Sequence, residues 1–353
     1  MHYTPLSLTA RTLYAELSEL ALGMGLASDM GKRPGSLVRK TVKGRDYLYY
    51  QYLDLAGQRR QAYLGASESR AARVIEQALS LSSEEREDRT QLQKLRAAFI
   101  GAGGTPIDTA PARVLVAFAE AGIFRPSSEY GVLVGTLAFH VYGNLLGVRW
   151  ASPTRTQDID IAGQSDIGLA IPQPDEPLPD VLARLEMGFV PVPPLNPKAP
   201  STSFRVRGRE LRVDLLTPEI GKAKGVRRVP ALKSRATALR FLDYLIEDTM
   251  PAVAIGRKQL ALVNVPHPER FALHKLLVSE NRPPAFAAKS EKDRVQALQL
   301  LAVLREEAPD GLAEAVSAIE QRGTGWRSRL VKALDKCAER HPAETDFVRQ
   351  HLS

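Results

Sequence analysis

The sequence predicts an α/β fold, in the α+β sense, built in three parts, and three patterns support this. In the first part, strand-type runs rich in tyrosine follow one helical stretch and are separated by turns that contain glycine. In the middle part, short apolar runs alternate with amphipathic helices, which predicts a small mixed sheet with flanking helices. In the last part only helical periodicity remains. We therefore expect an N-terminal module over 1–105, a core over 106–265 and an all-helical C-terminal domain over 266–353.

The N-terminal module should contain a helix, a β-meander and charged helices. Apolar residues share one helical face over 8–25, and GKRPG then interrupts the pattern. The stretch 67–100 is helical in pattern and strongly charged through EEREDR, and GAGGTP after it reads as a linker. The three strand-type runs are Ser36–Lys43, Tyr47–Leu53 and Gln58–Leu64.

The core should alternate helices and strands. Helical patterns cover 110–121, 136–147 and 178–188, and a short apolar run, YGVLVGT, precedes the second of them. The runs with strand-type alternation or length are Gln157–Ala162, Ser203–Val206, Leu211–Leu216, 252–255 and 259–265. From Pro266 onward every pattern is helical.

Composition favours a globular protein of the cytoplasm. Hydrophobic residues make up 44% and charged residues 25% of the 353 residues, which is ordinary for a globular chain. No apolar run approaches the roughly 20 residues of a membrane span, and the first residues lack the pattern of a signal peptide. The single cysteine, Cys337, predicts a reducing compartment.

Positive charge is concentrated in two segments. Residues 31–75 hold ten Lys and Arg against three acidic residues, a net charge of +7, and residues 221–240 hold seven basic residues and no acid. Tyrosines interleave with the first basic segment, as stacking on unpaired bases requires. A small sheet that needs aromatic side chains for its core, or a protein-docking module, is the alternative for the first segment, and a solvated helix face for the second. The candidate nucleic-acid-binding residues are Arg39, Lys40, Tyr49, Arg59, Arg60, Arg227 and Arg228.

Asp158 and Asp160 form a candidate metal site. On a strand, residues two apart point to the same face, so both carboxylates project together while Ile159 points to the core. Carboxylates this close repel each other unless a cation lies between them, and Mg²⁺ prefers oxygen ligands. The alternative is a solvated strand face.

The neighbouring segments favour phosphoryl-transfer chemistry. Gly135 and Thr136 stand where a strand meets a helix, and a helix N-terminus attracts anions. Asp214 lies on a later alternating strand, flanked by apolar residues. Three carboxylates on adjacent strands beside a Gly-Thr turn predict a site for two Mg²⁺ ions and a nucleoside triphosphate (NTP).

The run VGTLAFHVYGNLLGVRW…TRTQDIDIA, followed by RVDLL, resembles the nucleotidyltransferase (polymerase-β-like) superfamily over roughly 110–300. Within it, the segment is similar to uncharacterised bacterial members and to the AbiEii-type toxins, which carry a G-T turn and an R-[ST]-x-D-[IL]-D segment. The resemblance implies that Arg155 and Thr156 help to bind the nucleotide. Gly-Thr stands where Gly-Ser or Gly-Gly is the commoner opening, and threonine retains a hydroxyl for a phosphate.

The resemblance also extends to two C-terminal helices. In the AbiEii-type group, a lysine on one helix and a Lys-Asp pair on the next face the nucleotide, which points to Lys275 and to Lys292 with Asp293. Ammonium groups are suitable point charges for triphosphate oxygens. The alternative is that both lysines are ordinary solvated helix residues.

The histidines predict no metal site, because His267, His274 and His341 have no partner at metal-ligand spacing in the sequence.

We expect transfer of a nucleoside monophosphate from an NTP to a hydroxyl acceptor. Asp158, Asp160 and Asp214 would be the catalytic and metal-binding residues. RNA, with a tRNA 3′ end as one form, is the leading acceptor, and a toxin–antitoxin or phage-defence role follows from the resemblance. Nucleotidylation of a protein side chain is the second hypothesis. A non-catalytic binding protein on the same fold is the third.

Overall fold

A computed structural model describes most of the chain. The described residues are 2–30, 35–42, 45–53, 59–66, 88–124, 130–152, 155–165, 174, 176–194, 199–219, 221 and 225–352. Within these ranges no helix combines the length and the apolar character needed to cross a membrane.

The described helices agree with the predicted α/β class. Helix α2 is described over 88–101. The other helices are α1 (Leu8–Met30), α3 (Thr109–Glu120), α4 (Gly135–Leu145), α5 (Leu178–Arg184), α6 (Leu242–Ile246), α7 (Pro268–Ser279), α8 (Ala287–Glu307), α9 (Pro309–Glu320), α10 (Thr324–Ala338) and α11 (Pro342–Gln350).

The strands of the described residues form four separate sheets. They are β1 (Tyr3–Pro5), β2 (Gly35–Val42), β3 (Arg45–Leu53), β4 (Arg59–Ala66), β5 (Val132–Val134), β6 (Val148–Trp150), β7 (Asp158–Ala162), β8 (Phe189–Pro191), β9 (Ser203–Val206), β10 (Arg212–Pro218), β11 (Val226–Val229), β12 (Ser234–Leu239), β13 (Thr249–Ile255) and β14 (Leu260–Pro266).

The chain divides into two compact units. One comprises Met1–Tyr14 together with Phe99–Ser353, and the other comprises Ala15–Ala98. The division of the chain into domains at 105 and 265 stays a prediction.

The smaller unit contains the predicted meander. Strands β2, β3 and β4 form an antiparallel sheet in that order, with a register irregularity between Leu48 and Tyr49. The hydroxyl of Thr41 donates a hydrogen bond to the carboxylate of Asp46 at 2.6 Å, which fastens the end of the β2–β3 pair.

A seven-stranded mixed sheet forms the centre of the larger unit. Its main path runs β11–β12–β10–β7–β5, with β9 also beside β10 and β8 beside β9. Strand β7 runs parallel to β10 and antiparallel to β5. The basic run 221–240 contributes the antiparallel pair β11–β12, so Arg227, Arg228 and Arg235 lie on strands rather than on a helix.

Strict alternation separates the two faces of the central strands. Ile159 and Ile161 on β7, and Val213 and Leu215 on β10, have no exposed surface. Burying an aliphatic side chain contributes roughly 1.5–3 kcal/mol, so these residues fix which face of each strand enters the core. The residues between them project from the opposite face.

Helix α4 connects this sheet to the C-terminal helices. Its buried Tyr142 donates a hydrogen bond of 2.7 Å to the carbonyl of Pro266, where β14 ends and α7 is about to begin. The Tyr142 ring also packs edge-on against Phe271 of α7, with ring centroids 5.1 Å apart. These contacts hold α7 close to the helix that starts at Gly135.

Candidate active site

Three carboxylates lie together on one face of the central sheet. The register of the parallel strands β7 and β10 places Asp214 opposite Asp160 and Arg212 opposite Asp158. On the other side of β7, Val134 of β5 pairs with Asp160, directly before the start of α4. The two segments that the sequence placed 54 residues apart are therefore neighbours in one sheet.

Asp160 occupies the most unfavourable position of the three for a negative charge. Burial, and after it the nearby charges of Asp214 and Asp158, raise the pKa of its carboxyl group to about 7, even though Lys275 and Arg212 act to lower it. A carboxylate held in such surroundings gains most from a bound cation.

Gly135 leaves the space that the Asp160 carboxylate fills. A Cβ atom on Gly135 would overlap Oδ2 of Asp160, and the backbone there has φ of +69°, in the left-handed region. Both facts require glycine, since other residues rarely adopt that conformation. Glycine at this turn thus brings the N-terminus of α4 close to the carboxylate row.

Arg212 is a site residue that the sequence analysis missed. Its Nε donates to the carboxylate of Asp214 at 2.9 Å, and both side chains remain partly exposed. The segment RVDLL could have indicated this residue, because Arg212 and Asp214 are two positions apart on a strand and therefore share one face. This contact orients Asp214 and leaves its remaining lone pairs available.

Helices α7 and α8, with the segment between them, form a cationic wall in the same cleft as the carboxylates. Lys275 donates to Oδ1 of Asp293 at 2.8 Å, and Arg282 donates to Oδ2 of the same residue at 2.7 Å. Burial alone would raise the pKa of Asp293, but Lys275 and Arg282 outweigh it, and the pKa is lowered on balance. One buried carboxylate therefore holds two cations in place.

Two further lysines extend this wall at its exposed rim. Lys289 and Lys292 both line the cleft. Burial and Lys275 lower the pKa of Lys292, while the negative charges of Asp158, Asp293 and Asp160 raise it in part. Lys292 thus lies within the electrostatic reach of the acidic row on the sheet.

His274 is a second residue that the sequence analysis did not place at this site. It lines the cleft, and its Nδ1 is buried without a hydrogen-bond partner among the described residues. Burial lowers the pKa of the imidazole to about 3, and Lys275 and Arg282 contribute to the shift. The ring is therefore neutral at physiological pH and is able to accept or donate one hydrogen bond.

The acidic row and the cationic wall enclose one cleft of about 650 Å³. Gly135 and Thr136 also line it. One part of the lining is apolar and comprises Leu239, Phe241, Leu242, Leu245 and Val278. Acids, cations and an apolar surface in a cleft of this size suit a ligand that is polyanionic at one end and has a flat organic group at the other.

Some predicted nucleotide-binding residues lie elsewhere. Within the described part of the chain, neither Arg155 nor Thr156 lines the cleft. Arg155 pairs with Asp108 at 2.8 Å on the surface, and the hydroxyl of Thr156 accepts the backbone N–H of Asp158 at 3.1 Å. The hydrogen bond from Asp158 fixes the start of β7, so Thr156 supports the carboxylate row from behind.

The predicted nucleic-acid-binding residues are outside the cleft as well. Arg228 is exposed on β11, Arg227 beside it is half-buried, and neither is among the described residues that line the cleft. Arg39 and Lys40 are exposed on β2 of the smaller unit. The side chains of Tyr49, Arg59 and Arg60 lie outside the described part of the structure.

The donor set of the acidic row fits a hard divalent cation. Asp158, Asp160 and Asp214 offer only carboxylate oxygens, and Mg²⁺ is bound through such oxygens together with substrate phosphates. The raised pKa of Asp160 also supports a cation at this position. Repulsion from Asp214 and Asp158 causes part of the shift, and a bound cation would offset that repulsion.

Replacing Gly135 with alanine should damage the site as well as the fold. We expect Gly135→Ala to lose more unfolding free energy than Gly208→Ala, and to weaken stabilisation by Mg²⁺. Gly208 is the matched control, because its φ is +71° and a Cβ there would meet nothing within 4 Å. Backbone strain of about 1–2 kcal/mol is common to both variants, so denaturant titration isolates the clash with Asp160. Equal losses and equal responses to Mg²⁺ would contradict this role.

The metal-free protein should lose stability as the pH rises from about 4 to about 7. Because the pKa of Asp160 is raised in the folded state, the folded protein keeps this proton to a higher pH than the unfolded chain does. Asp160→Asn should therefore raise stability above pH 7 in a chelating buffer by on the order of 1–3 kcal/mol, and leave it unchanged near pH 4.

Adding Mg²⁺ above pH 7 should then stabilise the wild type more than Asp160→Asn. Thermal unfolding with and without Mg²⁺ measures this, with Asp180→Asn on α5 as the exposed control. An Asp160→Asn variant with the pH profile and the Mg²⁺ response of the wild type would exclude Asp160 as the charged centre of the site.

Comparison with known proteins was consistent with this geometry. Neither a curated protein nor a solved structure matches the chain. A family model described as a nucleotidyltransferase matches residues 109–321, more than half of the chain, and this range contains the whole acidic row and the cationic wall. The chain belongs to this nucleotidyltransferase family and is a transferase enzyme.

Proposed function

We propose that the enzyme transfers a nucleoside monophosphate from an NTP to a hydroxyl group of RNA and releases pyrophosphate. The observation that carries the proposal is the arrangement of charges in the cleft. Asp158, Asp160 and Asp214 form an acidic row on the sheet, and the helices opposite present cations held by Asp293. Such a pair of surfaces suits divalent cations on one side and phosphate oxygens on the other.

We assign two Mg²⁺ ions to the three carboxylates. Asp160 and Asp158 would contact both ions, and Asp214 would contact the one nearer the acceptor. When bound, the ions would neutralise phosphate charge and make the acceptor hydroxyl easier to deprotonate.

The residues of the chain have separate tasks in this scheme. The acceptor oxygen forms a bond to the α-phosphorus, the bond from that phosphorus to the bridging oxygen breaks, and pyrophosphate leaves. Asp214, oriented by Arg212, accepts the proton of the acceptor hydroxyl. Lys275, Arg282 and Lys292 hold the β- and γ-phosphate oxygens, and the start of α4 at Gly135 and Thr136 supplies backbone N–H groups for the same charge.

The apolar part of the cleft would receive the nucleoside. Leu239 has 41% of its surface exposed there, which is unusual for a large aliphatic residue. A stacked base would cover it.

The acceptor is assigned to RNA from the charge beside the acidic row. On β9, the exposed Arg205 stands opposite Arg212, so two cations are neighbours on the face that carries the carboxylates. Arg228 and Arg235 are opposite each other on β11 and β12 in the same way. Like charges directly opposite each other destabilise a sheet, and a polyanion would offset that cost. The similarity to AbiEii-type toxins, with a role in defence, is part of this proposal.

Incubation with each labelled NTP, Mg²⁺ and total RNA or lysate tests the reaction. We expect label in RNA, with losses of roughly 10²-fold or more in Asp158→Asn, Asp160→Asn and Asp214→Asn, because each change removes an oxygen donor for the cations. Asp180→Asn is the control and should keep wild-type turnover. Label in protein would support nucleotidylation of a side chain, and full activity of the three variants would refute the assigned site.

RNA binding should depend on the cations next to the site. We expect Arg205→Ala to weaken binding about equally across RNA sequences, and to reduce the slope of log affinity against log salt by roughly 0.7–0.9. Lys332→Ala is the control, since Lys332 is exposed on α10. Binding titrations at several salt concentrations, with RNA and with NTP as the ligand, measure the affinity and its dependence on salt. An unchanged RNA affinity in Arg205→Ala, or an equal loss in Lys332→Ala, would remove this surface from the acceptor site.

A further inference from the structure

A second cluster of metal-ligating side chains lies outside the lining of the cleft. It consists of His2, His341 and Glu344, whose ligand atoms all lie within 4.8 Å of one another. Nε2 of His2 is 3.2 Å from Nδ1 of His341 and 3.7 Å from Oε1 of Glu344. The two imidazole rings are 4.8 Å apart between centroids.

Backbone contacts hold these residues without help from the cluster. The carbonyl of His2 accepts hydrogen bonds from the backbone N–H of Ala151 at 3.1 Å and from Nε2 of Gln299 at 2.9 Å. His341 stands at the junction of α10 and α11, where its N–H donates to the carbonyl of Cys337 at 2.9 Å. Glu344 follows in the first turn of α11, three residues later, on the same side of the helix.

The surroundings favour an ion rather than solvent. The side chain of Glu344 is 8% exposed and that of His2 is 22% exposed. Buried carboxylates are paired or bind metals. Among the described contacts, the one partner of the Glu344 carboxylate is Nε2 of His2. The same nitrogen is also the partner of His341.

The donor set is that of a zinc site. Two imidazole nitrogens and one carboxylate oxygen are ligands that Zn²⁺ accepts at about 2.0–2.2 Å, with a fourth position left for water. Tetrahedral ligands at that distance lie roughly 3.3–3.6 Å apart. The distance of 3.2 Å from His2 to His341 lies just below this range, and that of 3.7 Å from His2 to Glu344 lies just above it. Small side-chain rotations would bring the ligand atoms of His341 and Glu344 to the same separation.

We propose that His2, His341 and Glu344 form a zinc site, with three protein ligands and one open position, that joins the residue before β1 to the start of α11. Its ligands include nitrogen, whereas the acidic row offers only oxygen, so the two sites would select different metals. His2 is 339 positions from His341, and a metal between them would fasten the first strand of the larger unit to its last helix. The sequence predicted no zinc site, because His2 is far from His341 and Glu344 along the chain and local spacing could not connect them.

Thermal unfolding of the full chain with added ZnCl₂ tests the site. The protein should carry a C-terminal tag without histidine, so that His2 and the zinc response are both preserved. Excess Mg²⁺ in all samples competes with zinc for the carboxylate cleft. We expect a rise in Tm of roughly 5 °C at a hundredfold excess over the zinc Kd in the wild type. The same rise is expected in Asp160→Asn, which lacks a cleft carboxylate.

Variants of the cluster should lose this response. His341→Ala and Glu344→Gln should show no zinc-dependent shift, and Glu344→Gln keeps the shape of the side chain in case the alanine variant folds poorly. His351→Ala is the matched control, because His351 is the histidine at the opposite end of α11 and bonds to the carbonyl of Phe347. Replacement of zinc by Co²⁺ should give the visible absorption of a tetrahedral nitrogen and oxygen site in the wild type.

Two results would overturn the proposal. The first is a wild-type protein whose Tm does not respond to zinc, which would mean that a proton alone bridges His2 and His341. The second is a zinc response that is equal in His341→Ala, Glu344→Gln and the wild type, or that disappears in Asp160→Asn. That pattern would place the zinc in the nucleotide cleft.

Discussion

The parallel pairing of β7 with β10 is the constraint on which this site depends, because it sets Asp160 directly beside Asp214. Two carboxylates in this register repel each other, and burial adds to the cost by raising the pKa of Asp160. The apolar residues that alternate with them prevent a change of strand register, since a shift of one residue would turn Ile159 and Val213 out of the core. The strand pairing that builds the core therefore also creates a need for a cation.

The cationic wall concentrates positive charge, as the acidic row concentrates negative charge, but here a residue of the protein neutralises part of it. Lys275 and Arg282 are drawn into one position by Asp293, which has 3% of its surface exposed and gives one oxygen to each. This ion pair still leaves positive charge in excess on the helices. A ligand that carries both phosphates and divalent cations satisfies the two walls at once, which is the reason that nucleotidyl transfer suits the cleft better than simple anion binding.

Local signals in the chain were sufficient for most secondary structure. The meander appeared at Gly35–Val42, Arg45–Leu53 and Arg59–Ala66, within two residues of each expected boundary. Very short strands such as β1 and β6 were missed, because three residues carry no readable period and depend on each other for pairing. The pair β11–β12 was missed for a related reason, since a dense run of cations concealed the alternation of Ala236 and Ala238 with polar neighbours on β12.

The sequence by itself determined which three aspartates, which glycine at the start of α4 and which lysines of the C-terminal helices are the candidates, because strand alternation and helix boundaries are local properties. Only the tertiary structure decided which of them meet. It brought Arg212 and His274 to the cleft, turned Asp293 into the partner of Lys275, and left Arg155 on the surface with Asp108. It also brought His2 to His341. Side-chain distances depend on how strands pair and how helices pack, and residues hundreds of positions apart carry no local mark of that packing.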